Sequence, residues 1–167
     1  MKNLEYYEIR ERNLTTQYFK TFSDDYYAYN FTEEDSHTGY DGTYTHSETD
    51  PSTFFEVKVR SYPIEKYPDY IIEYRKVNSL ATWYNTGYPV KYMNFFQNSD
   101  GTYGLIVFDL DYRIQQWRKM GIKNVVQKKW MRQYTCYDRG SCTKEVIMIA
   151  NDAMIDLKYT GYGWSLN

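Results

Sequence analysis

The amino-acid sequence predicts an α+β protein with more sheet than helix, on three observations. Tyr accounts for 21 of the 167 residues and aromatic residues together for 20%, a composition that suits half-buried pleated surfaces better than helix interiors. Residues 54 to 60 alternate strictly between two faces, the period of an extended chain. Residues 4 to 22 instead place their larger side chains every three or four positions, the period of a helix. A chain of this length matches one domain with a substantial core.

The first helix is expected over residues 4 to 22, where Leu4, Tyr7, Glu11, Leu14, Tyr18 and Phe22 form a stripe that no Pro or Gly interrupts. Glu11 sits where an apolar residue is expected, so its carboxylate either reaches water from the stripe's margin or points into a polar pocket. Asp24-Asp25 ends the helix, and residues 26 to 31 alternate as a strand. Turn-forming residues 32 to 39 send the chain back into a second strand at 40 to 46, and a turn at 47 to 52 leads to the third strand. There Phe55, Val57 and Val59 face one way and Phe54, Glu56, Lys58 and Arg60 the other, completing an antiparallel three-stranded meander.

Residues 61 to 69, with Pro63 and Pro68, read as a loop that continues through Tyr70-Ile71-Ile72-Glu73 into a helix over 76 to 84, whose stripe is Val77, Leu80, Ala81 and Tyr84. Asn85-Thr86-Gly87 stops it. Strands at 90 to 96 and 103 to 110 are joined by Asn98-Ser99-Asp100-Gly101, in which Asp-Gly is a strong hairpin signal. From 111 to 132 the composition turns basic, with Arg113, Arg118, Lys119, Lys123, Lys128, Lys129 and Arg132; Trp117 and Trp130 within it read as packing anchors. Two last strands, 145 to 149 and 154 to 159, are expected to form a hairpin around Asn151-Asp152.

Net charge is −2, so no global basic field points to nucleic acid, although a local patch suffices for phosphate contacts. No apolar run approaches the roughly 20 residues that cross a bilayer. The first residues lack the apolar core of a signal peptide, so a soluble, cytoplasmic protein is expected. Cys136 and Cys142 flank a five-residue turn and could pair, but an intracellular setting favours free thiols. His37 and His46 lie too far along the chain to complete a zinc site with them.

Chemistry concentrates in the third strand. Glu56 and Lys58, two apart, share a face; alone they are an ordinary exposed ion pair. Asp41, between Gly39-Tyr40 and Gly42, starts the second strand, where a hairpin pairing of Thr43 with Phe55 would bring it beside Glu56. Two carboxylates, an ammonium and a further carboxylate from the first helix make a hard-oxygen site of the kind Mg²⁺ takes.

This order, Tyr40-Asp41-Gly42 followed by Phe55-Glu56-Val57-Lys58-Val59-Arg60, then residues 66 to 73 running into a helix at Lys76 and a strand at Val90, resembles the PD-(D/E)XK nuclease superfamily, in its small phage and bacterial members. The resemblance covers residues 1 to 110 and departs from the family pattern at Tyr40, where a proline is customary; Pro68-Asp69 falls after Glu-x-Lys and reads as a loop dipeptide. It implies an α-β-β-β-α-β core with a mixed central sheet in residues 1 to 110. Residues 111 to 167 would be a basic segment and C-terminal β-hairpin packed on the same domain. It further implies that Asp41, Glu56 and the Val57 carbonyl hold Mg²⁺, or Mn²⁺, with a first-helix carboxylate from Glu11 or its neighbour Glu8. Lys58 would orient or deprotonate the attacking water.

Lys76 either contacts a phosphate or is a solvated helix-start lysine. Arg60 is a candidate backbone contact, and Arg118, Lys119, Lys128 and Lys129 are either a DNA surface or a solvated basic face. The activity expected is endonucleolytic hydrolysis of DNA leaving a 5′-phosphate, with residues 111 to 167 a possible homodimer interface. The alternatives are a catalytically silent binding or inhibitory protein on the same core and a purely structural Tyr-rich protein.

Overall fold

Burial along β5 (Val90–Gln97) shows how the chain is layered. Tyr92 and Phe96 point to one apolar cluster and Met93 and Phe95 to another, so this strand is covered on both faces. The computed structural model describes residues 2–33, 39–63, 66–67, 69–132, 141–150, 157–159 and 164–166. Within them run α1 (Lys2–Thr21), a 3-10 turn (Ser23–Asp25), β1 (Ala28–Phe31), β2 (Gly42–Thr45), β3 (Thr53–Arg60), β4 (Asp69–Glu73), α2 (Tyr74–Asn85), β5, β6 (Tyr103–Asp109), α3 (Leu110–Met120), α4 (Ile122–Val125), β7 (Val126–Arg132), β8 (Ser141–Ala150), β9 (Leu157–Tyr159) and β10 (Trp164–Leu166).

The fold is α+β with a mixed central sheet of seven strands ordered β1-β2-β3-β5-β6-β9-β10. Only β3 and β5 are parallel; the other neighbours are antiparallel. A parallel pair requires a crossover, and β4 with α2 supplies it. One face of the sheet is covered by α1, whose Leu14, Tyr18 and Phe19 pack on Phe55, Val57, Met93, Phe95 and Leu105. The opposite face, with Phe54, Tyr92, Phe96, Ile106 and Phe108, is covered by α2, α3 and a second sheet ordered β4-β8-β7.

The expected first helix, meander, second helix and β5–β6 hairpin are all present. Asp-Gly closes that hairpin with Gly101 at φ 82°, a left-handed conformation that glycine adopts without strain. Strand β6 stops one residue early because the Asp109 carboxylate caps α3, accepting from the N–H groups of Asp111 and Tyr112.

Two expectations about strands fail. The end of the loop before α2 is a strand, β4, and the predicted C-terminal hairpin does not form. Residues 145 to 149 belong to β8, between β4 and β7, whereas residues 157 to 159 lie in the central sheet between β6 and β10. Alternation identifies a strand but does not name its partner, and β4 meets β8 more than 70 residues later, as in the pair Asp69 with Ala150. Trp117 packs in the core as expected, but Trp130 is 75% exposed on β7 and is not the packing anchor expected. The expected turns around residues 34 to 38 and 151 to 152, as well as Cys136, lie outside the described residues. No helix among the described residues is long and apolar enough to cross a membrane.

Candidate active site

The site lies where β3 outruns its neighbour. Pairing with β2 ends at Gly42 opposite Phe55, while β3 continues to Arg60 along β5. The Phe54 N–H donates to the Pro89 carbonyl on the β5 side. Even-numbered residues of β3 therefore serve the parallel ladder, and the backbone groups of Val57 and Val59 turn to the opposite edge. Buried backbone donors must find acceptors, and two carboxylates provide them. Asp41 Oδ2 accepts from the Val57 N–H at 2.7 Å, and Glu11 Oε1 accepts from the Val59 N–H at 3.2 Å. The Val57 carbonyl faces the same edge.

Asp41 is held there by close approaches that demand its flanking glycines. A Cβ on Gly42 would lie 2.5 Å from both the Asn30 carbonyl oxygen and the Phe55 ring. One on Gly39 would lie 2.0 Å from the Ser79 Cβ on α2. Between them Tyr40 meets Phe54 and Trp83 edge-on, at ring separations of 4.8 and 5.6 Å. The Asp41 N–H completes the anchoring through the Phe55 carbonyl at 2.9 Å. Two glycine contacts and an aromatic wedge thus hold Asp41 at the edge of β3.

The side chains of β3 divide as the alternation predicts. Glu56 lies on the α2 face, only 6% exposed, one peptide bond from the Val57 N–H that binds Asp41. Both its oxygens lie 2.9 Å from Lys76 Nζ, which descends from the first turn of α2. Burial, and then the charge of Asp41, push the Glu56 carboxyl up to about 8, against the partial offset of Lys76 and Lys58. Burial alone would lower Lys76, but Glu56 and Asp41 outweigh it and the ammonium is favoured. Lys58, whose side chain is 47% exposed, pairs with Glu11 at 3.2 Å. Burial pulls Lys58 down, yet Glu11 followed by Tyr92 prevails, so it too is held as an ammonium.

The sequence-selected residues are therefore only partly gathered. Asp41, Glu56, Val57, Lys58 and Glu11 share the open edge of β3, and Glu11 points to a polar site instead of bulk water. Lys76 faces the site and pairs with Glu56, against the reading of it as a solvated helix-start lysine. Arg60 does lie on the Glu56 face, but its guanidinium is engaged within the fold. It donates to the Ile71 carbonyl at 2.7 Å, the Tyr92 hydroxyl at 3.1 Å and Asn94 Oδ1 at 3.4 Å, tying β3 to β4 and β5. Arg118 and Lys119 are exposed at the end of α3, Arg118 donating to Asn85 Oδ1 at 2.6 Å. Lys128 is exposed and Lys129 half-buried on β7. Tyr92 and the fully buried Asn94 were missed; both are register partners of the motif, opposite Glu56 and Lys58. No local signal marks them, since an Asn inside a strand acquires meaning only from its neighbour across the ladder.

Among the described residues no three carboxylate, imidazole or thiol groups gather around one point. A magnesium ion needs fewer, since one or two carboxylates with water and substrate oxygens fill its octahedron. The donors at hand, Asp41, Glu56 and a backbone carbonyl on the open edge, fit that requirement, and the Glu56 oxygens already attract a cation in the form of Lys76. Compared with protein-family models, curated proteins and solved structures, the chain matches none.

Proposed function

We propose that the chain is a Mg²⁺-dependent DNA endonuclease of the PD-(D/E)XK type, able to use Mn²⁺, with Asp41, Glu56 and the Val57 carbonyl as ion ligands. One observation carries this reading. The Asp41 carboxylate closes on the Val57 N–H, which places both carboxylates and the Glu-x-Lys strand at one unpaired edge. A bound ion would supply a water of lowered pKa and neutralise charge on the phosphate. Lys58, held protonated by Glu11, suits orienting that water and stabilising the phosphorane oxygens better than accepting a proton. Glu11 acts as a positioning residue for Lys58. Water would attack phosphorus as the bond to the 3′ oxygen breaks, its proton passing through solvent to the leaving oxygen, so that the products are a 3′ hydroxyl and a 5′ phosphate.

DNA is the proposed partner in an intracellular setting, contacted by Arg118 and Lys119 on α3 and by Lys128, Lys129 and the exposed Trp130 on β7. A homodimer through residues 111 to 167 would present two sites to a duplex. A second reading, a catalytically silent binding or inhibitory protein, has a specific observation in its favour. The pairs Lys76–Glu56 and Lys58–Glu11 each set an ammonium against a carboxylate of the site without an ion. Incubation with linear, supercoiled and single-stranded DNA in Mg²⁺ or EDTA decides between them. Cleavage in Mg²⁺ that Glu56→Gln and Lys58→Ala each reduce at least ~100-fold supports the enzyme. No cleavage by the wild type, or equal cleavage by the variants, rejects it.

A further inference from the structure

Lys76 occupies an electrostatically adverse place unless something offsets it. It lies in the first turn of α2 next to Arg75, with no acidic residue in that turn, where the helix dipole disfavours cations. Its offset is the acidic pair. Lys76 Nζ lies at 2.9 Å from each Glu56 oxygen, and Asp41 adds a further attraction. An ammonium bridging both oxygens of a buried carboxylate, with a second carboxylate alongside, stands where a metal ion would stand. A divalent ion held between the two Glu56 oxygens, at about 2.0–2.1 Å from them, would take the place that the ammonium now occupies.

We propose that Lys76 is the resident counter-cation of the Asp41–Glu56 pair, that it must leave these carboxylates when a divalent ion is bound, and that its freed ammonium then serves as a phosphate contact. This rests on the metal-site reading given above. Charge balance gives the exchange its direction. With Glu56 ionised, two carboxylates and one ammonium leave a net negative charge, whereas a divalent ion neutralises both carboxylates and makes the ammonium surplus. Lys76 has a way out, since its side chain is 27% exposed and Glu56 only 8%. An outward swing would carry it towards solvent on the face of β3 that Glu56 shares with Lys58. Metal loading would thus precede and promote DNA binding through a residue outside the Glu-x-Lys motif.

The test measures Mg²⁺ binding without DNA, by calorimetry on the full chain at pH 8.5. Lys76→Gln, which removes the competing cation, is expected to bind Mg²⁺ roughly tenfold more tightly than the wild type, the difference between a charge-assisted and a neutral hydrogen bond in the competing state. Lys76→Arg, which keeps the charge, should gain nothing. Acylation of the wild-type Lys76 amine, followed by mass spectrometry, should rise several-fold when Mg²⁺ is added, and this reading stands even if Lys76→Gln fails to fold. Equal affinity of wild type and Lys76→Gln, with acylation indifferent to Mg²⁺, overturns the exchange while leaving the metal site intact. Absence of Mg²⁺ binding in every protein overturns both.

Discussion

Replacing Glu56 by Gln should remove a pH dependence from the stability of the ion-free protein. The folded carboxyl is pushed from 4.5 up to about 8 by burial and by Asp41. Across that window the folded chain keeps a proton that the unfolded chain has released. Stability therefore falls as pH rises from about 4.5 to about 8 and levels off above, with a slope of roughly 1.4 kcal/mol per pH unit for one proton. Between about pH 5 and pH 8 this amounts to on the order of 4 kcal/mol. Lys76, 27% exposed, admits water to the pair, so ~2–3 kcal/mol is the expected measured size. That corresponds to about 4–12 °C in Tm for a domain of this size.

Glutamine keeps the shape and can still accept from Lys76, but it does not ionise. The assay is urea or thermal unfolding of wild type and Glu56→Gln in EDTA at several pH values from 5 to 8.5. Taking the difference between the two cancels the titrating groups that do not interact with Glu56. The variant should gain on the wild type steadily with pH, and saturating Mg²⁺ should narrow the gap by favouring the wild-type carboxylate. Parallel stability curves in EDTA would refute the reasoning, because Glu56 would then ionise as it does in an unfolded chain.

Three further outcomes are expected. Gly42→Ala forces a methyl group into the Asn30 carbonyl and the Phe55 ring, so unfolding in urea should show a loss of ~1–3 kcal/mol; an unchanged midpoint would deny the close approach that holds Asp41. Arg60→Met leaves the Ile71 carbonyl and Asn94 with fewer donors, and should lower stability by ~2–4 kcal/mol while leaving DNA affinity of the folded protein within about twofold. The reverse pattern would assign Arg60 to the substrate. Trp130→Ala, at a 75% exposed position, should change stability by less than about 0.5 kcal/mol. If β7 binds DNA, the same change should weaken affinity for single-stranded DNA about 5- to 100-fold in fluorescence anisotropy, and unaltered affinity would remove β7 from the proposed interface.

What could be read from the sequence is what local periodicity encodes. A spacing of three and four marks α1, alternation marks β3, and Asp-Gly marks the turn between β5 and β6, because each reflects how consecutive residues point. The same rule puts Glu56, Lys58 and Arg60 on one face of β3. Asp41 was legible through its motif, but the reason it stays in place was not. Its glycines matter because of Asn30, Phe55 and Ser79, and no spacing reveals those approaches.

Partnership was decided only in three dimensions. Strand β4 hid in a loop because its sheet is completed by β8, far along the chain, and loop closure between distant segments leaves no local imprint. For the same reason two strands expected to pair with each other went to different sheets. Arg60 and Lys76 show the consequence at the site. By spacing alone both are basic residues near a Glu-x-Lys motif. Burial against β4 engages the first with backbone and hydroxyl acceptors, and descent from α2 sets the second on Glu56. The sequence by itself determined which side chains share a strand face, because that follows from the covalent geometry of an extended chain. The tertiary structure decided which charges meet, because in a low-dielectric interior the partner across the gap governs the state of an ionisable group.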